Sequence, residues 1–405
     1  MQETNPMLGR SMVPDMPSVG ELLPWLRRID AGRWYSNFGP LVTEFEQRMQ
    51  AHLAAADQVT RAEPIALTTL ISCYHALQIG LQILHLPENA NVLVPSVTFP
   101  ACPLAVRHAR ARAVLADIDF ETWQLTPAIA RRIATRMPIH AVMPVAVYGV
   151  PVPAEEWDRF AEDTGIPVII DAAAALEAQP IPRHCLVAHS LHATKPFSIG
   201  EGGLLIARDR KLIEEARCIA NFGTQNRIAV RDGSNAKLSE YHGAVALAQL
   251  ARWAEVKQRR RAMFARLRAA IEDADLGLAF QKGIEQAIPS TFMLEMDAPR
   301  AETMTAALNE RGILAHRMYL PPLYHHPHFA DLAIVQTEGY SLPGAAPKAQ
   351  KVALMENSEQ MQRHLFGLPF HAFLEERDIA CMIEALAEAM SPPREQSRPA
   401  KTARA

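Results

Sequence analysis

Between about residues 65 and 207 the chain sets short apolar runs against helical patterns. "PIALTTL", "YHALQIGLQIL", "NVLVPS", "ARAVLADI", "HAVMPVAVYG", "IPVIIDAA" and "GGLLIAR" follow one another. The strand-like runs are apolar on both sides instead of alternating, and a strand of that kind is stable only with helices covering both faces of its sheet. This texture restricts the region to an α/β fold with a mainly parallel sheet between helices.

From about residue 235 the pattern changes. "LSEYHGAVALAQLARWAEVKQRRRAMFARLRAAIEDA" repeats its apolar positions at three and four, which predicts one long helix linking two lobes. Residues 286–320 and 366–390 read as a smaller α+β lobe, and "AIVQTEGYSLPGAAPKAQKVALMENSEQ" between them reads as a surface insertion or mobile loop. The expected division is a large α/β domain over 1–250 that includes the N-terminal segment, a small α+β domain over 251–390, and a disordered tail over 391–405. That tail, "SPPREQSRPAKTARA", is too rich in proline and charge to bury a core.

Composition narrows the function classes. The 405 residues are 49% hydrophobic and 21% charged, enough for two lobes with cores of ordinary size. Basic and acidic side chains number 41 and 44, and their net charge of -3 is spread without long like-charge blocks, so neither nucleic acid nor an anionic membrane is an expected partner. The five cysteines, Cys73, Cys102, Cys185, Cys218 and Cys381, are scattered and never form a CxxC pair, which argues against a disulfide framework or a zinc site. No metal is expected. The N-terminus lacks a basic segment followed by a long apolar run, and no apolar stretch reaches the roughly 18 residues of a membrane span, so a cytoplasmic location is expected.

In open parallel sheets ligands bind beyond the carboxyl ends of the strands. Asp171 closes "IPVIID" and is followed by four alanines, small enough for a flat ring to approach the backbone. Taken alone it also suits a helix N-cap. Ser190, Thr194 and Lys195 stand in "HSLHATKPFSIGEGG", where hydroxyls and glycines surround one lysine. Phe99, just after the strand in "VPSVTFPAC", could stack on a planar group or belong to the core. Together they form the set that pyridoxal phosphate chemistry requires. The amine condenses with the aldehyde, the carboxylate keeps the pyridine nitrogen protonated, and hydroxyls with helix-start amides hold the phosphate.

On these motifs the chain resembles the DegT/StrS-type sugar aminotransferases, fold-type-I pyridoxal phosphate enzymes with a mainly parallel seven-stranded-type sheet. The resemblance runs from "SNFGPLVTEFE" to "LPFHAFLEERDIACMIEAL". It implies the Schiff-base lysine at Lys195, a phosphate contact at Ser190, the pyridinium partner at Asp171 and the stacking aromatic at Phe99. "SCYHAL" falls where the family has a phosphate-binding turn, which nominates Ser72, Cys73 and Tyr74 through their amides. "GSNAKLSEYHGAVALAQL" matches a segment whose asparagine, here Asn235, reaches the neighbouring subunit's phosphate, and so implies a homodimer with shared sites. "RMYLPPLYHHPHF" aligns with a loop near the sugar site, nominating Arg317, Tyr319 and His325 for substrate binding.

The chain departs from the family at several positions. Ala174 stands where many members have Gln or His, Cys73 and Tyr74 replace Gly-Thr, Cys102 replaces a common threonine, and Ala146 replaces a common histidine. The variants "NFGP", "DAAAA" and "NAK" are most similar to members that aminate nucleotide-linked 4-keto-6-deoxyhexoses. The resemblance implies transfer from L-glutamate to such a sugar, a dTDP-4-keto-6-deoxyhexose, in amino-sugar or polysaccharide biosynthesis such as that of lipopolysaccharide. An aldolase or lyase of the same fold, or a regulator that binds sugar or cofactor without turnover, shares the same residues.

Overall fold

The computed structural model describes residues 7–56, 64–335, 341–342 and 347–390. Its strands are β1 (Ala66–Leu70), β2 (Asn91–Pro95), β3 (Arg112–Ala116), β4 (Ala141–Val142), β5 (Val168–Asp171), β6 (Cys185–Ser190), β7 (Gly203–Ala207), β8 (Thr224–Gln225), β9 (Ile228–Ala229), β10 (Leu278–Ala279), β11 (Phe292–Met296), β12 (Ala333–Val335), β13 (Ser341–Leu342) and β14 (Leu365–Leu368). The helices are α1 (Val19–Gly32), α2 (Pro40–Ala56), α3 (Cys73–Gln82), α4 (Ala101–His108), α5 (Pro127–Ala134), α6 (Ala154–Thr164), α7 (Arg210–Ala220), α8 (Glu240–Asp273), α9 (Ala301–Glu310), α10 (Lys348–Leu354), α11 (Glu356–His364) and α12 (Glu376–Met390).

The main sheet runs β1-β7-β6-β5-β4-β2-β3-β12-β13. Strands β6, β5, β4, β2, β3 and β12 are parallel, while β7, β1 and β13 pair antiparallel at the two ends. In β5, Val168 and Ile170 join the core on one face and Ile169 the core on the other, as a period of two requires. Buried residues of α2, α5, α6 and the first half of α8 cover the first face, and those of α3, α4 and α7 the second. The expected α/β layering therefore holds.

One expectation needs correction. The segment beginning "AIV" is not wholly an insertion outside the sheet, because Ala333, Ile334 and Val335 pair in parallel with Val114, Leu115 and Ala116. Three apolar residues are too few to establish a period, and only the tertiary pairing with β3 identifies them as a strand.

The predicted long helix is α8, capped by Ser239, whose hydroxyl accepts the His242 N–H. It crosses residue 250 without interruption, so its later part, with Met263, Phe264, Leu267 and Ile271, packs on the small antiparallel sheet β10-β11-β14. Leu8, near the N-terminus, is buried in that same small-lobe core. Residues 391–405 lie outside those described.

Candidate active site

Strands β5 and β6 end side by side, with Asp171 paired to Ala188, and the loop after β6 turns back to β7 through Lys195. A cavity of about 530 Å³ opens beyond these strand ends. It brings together Ser72, Cys73, Tyr74, Phe99, Asp171, Ser190, Lys195 and Tyr319 from the residues nominated by sequence.

Asp171 is 5% exposed, and each of its oxygens has partners. The Ala173 N–H donates to Oδ1 at 3.0 Å and the Cys102 thiol to Oδ2 at 3.0 Å, while the Cys73 thiol lies 3.9 Å from Oδ1. Burial pushes the carboxyl above its ordinary value, and the Cys102 and Ala173 bonds, with the Lys195 charge, pull against that rise. Burial likewise works against the Lys195 ammonium. The charge interactions with Tyr319 and Asp171 outweigh it and push the amine above its ordinary value.

The floor on one side is the start of α3. Ser72 is its N-cap and accepts the His75 N–H at 3.3 Å, which leaves the first-turn amides of Cys73 and Tyr74 at the cavity edge with the positive end of the helix dipole. This approach depends on Gly203 in β7, where a Cβ would lie 2.4 Å from the Ser72 carbonyl carbon. The loop bearing Ser190 is ordered from within. The Ser190 hydroxyl accepts the His192 N–H at 3.2 Å, and His192 Nδ1 lies 2.9 Å from the Thr194 hydroxyl.

Phe99 is 59% exposed and packs edge-on to Tyr319, with ring centroids 6.3 Å apart. Tyr319 in turn stacks on buried Tyr148, at 5.3 Å between centroids and 16° between planes. The Tyr148 hydroxyl donates to the Met318 carbonyl at 2.8 Å and fixes the stack.

Three nominated residues lie elsewhere. The Arg317 guanidinium donates to the Gln362 carbonyl and faces Glu302 at 3.6 Å, outside the cavity lining. His325 Nε2 lies 2.5 Å from Glu359 Oε1, which also accepts the Tyr324 hydroxyl at 2.6 Å. Asn235 sits on the exposed surface, where the Lys237 ammonium donates to its Oδ1 at 2.6 Å. The cavity also holds residues the sequence reading did not nominate, among them Met12, Tyr148, His192, Ser290 and Thr291. His192 stands inside the lysine motif and was within reach of that reading. Met12, Ser290 and Thr291 come from segments with no local pattern to mark them.

The donor set suits pyridoxal phosphate. A primary amine and a carboxylate share one cavity with a helix N-terminus, hydroxyls, and the small side chains of Ala173 and Ala174. A phosphate would suit the helix N-terminus, and a protonated ring nitrogen the Asp171 carboxylate.

The chain is similar to several known proteins. Protein Rv3402c of Mycobacterium tuberculosis (strain ATCC 25618 / H37Rv) is 28% identical over 389 residues, spanning 93% of this chain and 89% of the relative. UDP-2-acetamido-2-deoxy-3-oxo-D-glucuronate aminotransferase of Pseudomonas aeruginosa is 27% identical over 358 residues, 86% of this chain and 90% of its own. The crystal structure of DesI in the presence of its TDP-sugar product superposes with a TM-score of 0.76 at 26% identity, covering 95% of this chain and 92% of that one. The family profile itself matches residues 20–387. The chain belongs to the DegT/DnrJ/EryC1/StrS aminotransferase family, pyridoxal phosphate-dependent enzymes of fold type I.

Proposed function

We propose that this aminotransferase moves an amino group from L-glutamate to a nucleotide-linked keto sugar, specifically a dTDP-4-keto-6-deoxyhexose, as a homodimer in the cytoplasm. The observation that carries the reading is that the Lys195 amine and the Asp171 carboxylate share one cavity and interact by charge there, with hydroxyls and a helix N-terminus beside them. The sugar substrate is supported by the relatives, one named for a UDP-linked sugar and one crystallised with a TDP-sugar.

Pyridoxal phosphate, when bound, supplies an electrophilic aldehyde and a ring that withdraws electrons from the neighbouring carbon. Lys195 would hold the aldehyde end in the resting enzyme and, once the donor's amine has displaced it, would take the proton of the substrate carbon at its freed Nζ and return it. Asp171 favours a protonated ring nitrogen by its charge, and the thiol and amide on its oxygens keep it oriented. The amides of Cys73 and Tyr74, with Ser72 and Ser190, would hold the phosphate, and Phe99 would stand over the ring. Tyr148 and Tyr319 close the substrate side against water.

The deciding experiment incubates the pure protein with L-glutamate and a panel of nucleotide-linked keto sugars, detecting product by mass. A product one amino group richer, formed together with 2-oxoglutarate, supports the reading. If the cofactor is consumed by glutamate and no sugar is aminated, the sugar acceptor is wrong.

A further inference from the structure

The cavity lining includes one residue from a segment outside the family match. Residues 7–17 precede the matched span 20–387, and Met12 from this segment lines the cavity with Ser290, Thr291 and Met318. The segment is anchored on both sides of Met12. Before it, buried Leu8 sits in the small-lobe core and its carbonyl accepts the Leu314 N–H at 2.9 Å. The Ser11 carbonyl accepts the Phe370 N–H at 3.0 Å.

After it, Asp15 is 5% exposed and its carboxylate meets Arg252 at 2.9 Å and Arg259 at 2.8 Å. The Asp15 carbonyl accepts the Gln249 side-chain amide at 3.0 Å, which ties this end to α8. A side chain held between two such anchors is a fixed part of the wall, because its backbone entropy is already lost to the fold.

The wall has a definite chemical character. The cavity that Met12 enters has Met318 and Val147 as further apolar groups, hydroxyls on Ser290 and Thr291, two carboxylates, Asp171 and Glu201, the latter 3.5 Å from His192 Nε2, and Lys195 as the one lysine or arginine among the described lining residues. A substrate carboxylate brought beside Met12 would enter a cavity where Asp171 and Glu201 already compete for Lys195 and His192, and an unpaired buried charge is strongly disfavoured. A methyl group would meet the Met12 thioether without leaving any polar atom unsatisfied.

We propose that Met12, presented by the 7–17 strap, is a specificity-determining residue of the acceptor site. It meets the deoxygenated edge of the sugar and favours an acceptor with a 6-methyl group over one with a 6-carboxylate. This rests on the sugar amination proposed above.

The test compares wild type, Met12→Ala and Met12→Lys on two acceptors, a TDP-linked 4-keto-6-deoxyhexose and a UDP-linked keto hexuronate. Three readouts are taken: bleaching of the cofactor band by L-glutamate, amination kcat/KM, and equilibrium binding of each nucleotide sugar to the apoenzyme. Met12→Ala should lower kcat/KM and binding for the deoxy sugar about tenfold, and by more than it changes bleaching by glutamate. Met12→Lys should shift the deoxy-to-hexuronate ratio further, toward the acid. Asp15→Asn, which loosens the strap without touching the cavity, should move the same ratio in the same direction by less.

Wild-type ratios in all three variants, or a wild-type enzyme that aminates only the hexuronate, overturn the Met12 assignment and leave sugar amination standing. A wild-type enzyme that glutamate bleaches but that aminates neither sugar overturns the proposed function, and the acceptor assigned to Met12 falls with it.

Discussion

A thiol stands at the centre of the carboxylate's support. Cys102 Sγ is 3.2 Å from the Thr98 hydroxyl and 3.0 Å from Asp171 Oδ2, so it relays a hydrogen bond from the loop after β2 to the end of β5. Burial pushes the Asp171 carboxyl up, and the Cys102 bond is the strongest opposing influence. Removing it in Cys102→Ala leaves a buried oxygen without its thiol partner and takes away the strongest influence that favours the charged carboxylate. Pyridoxal phosphate should then bind about tenfold more weakly, the equivalent of roughly 1.4 kcal/mol, and Cys102→Ser should restore it. Titration of the apoenzyme with cofactor across pH measures this, and equal affinity in Cys102→Ala would show the thiol to be packing only. Asp171→Asn is expected to lower transamination by orders of magnitude while the melting temperature changes little, since a neutral amide cannot favour a charged ring. Near-full turnover in that variant would remove the residue from the mechanism. Asp171 and Lys195 were legible in sequence because each sits in a local pattern, a strand end and a hydroxyl-glycine loop. Tyr148 and Met12 were not, since only the folded chain brings them to the cavity.

At the scale of elements, the loop after β5 is held by a clamp at Glu177. Its carboxylate lies 2.6 Å from His52 Nε2 on α2 and accepts the Trp253 indole N–H at 2.7 Å and the Lys257 ammonium, both on α8. Burial raises this carboxyl, but the bonds from His52, Lys257 and Trp253 outweigh it and lower it from its ordinary 4.5 to about 2. A folded-state value below the unfolded one stabilises the protein above the unfolded value, and the contribution is lost as pH falls toward the folded one. Glu177→Gln should therefore cost about 2 kcal/mol of unfolding free energy at pH 7. That deficit should shrink below pH 4.5 and vanish near pH 2, a window given by the two values of this one group. Urea unfolding of both proteins across pH reads the difference directly, and a deficit that stays constant with pH would mean the clamp is not electrostatic. The clamp was hidden in the sequence because its partners come from three separate elements. The parallel strands were legible because apolar runs of four to six residues carry their own signal, as in β5 and β6, whereas β12, with three residues, depends on its neighbour β3.

At the scale of the whole molecule, the surface near Asn235 exposes several large apolar side chains among polar ones. Phe222, Ile228, Val230 and Tyr241 are all exposed, as are Trp34 and Tyr35, and Tyr35 meets Tyr241 with ring centroids 6.2 Å apart. Exposed apolar groups of this size suit an interaction surface, and exposed Val230 directly follows β9, which carries Ile228. Asn235 itself does not line its own chain's cavity, which fits the proposed service to a partner's phosphate. A carboxylate at this position would pair with Lys237, already bonded to the Asn235 oxygen, so the clean lesion is Asn235→Leu. An inactive Lys195→Ala chain and an inactive Asn235→Leu chain are mixed in equal amounts and allowed to exchange subunits. In a shared-site heterodimer one site carries both lesions and the other carries neither. Random exchange then returns roughly a quarter of the wild-type activity, because half of the dimers are mixed and half of their sites are intact. If native mass spectrometry confirms the heterodimer and no activity returns, Asn235 acts within its own subunit, and each active site is complete without its partner's asparagine.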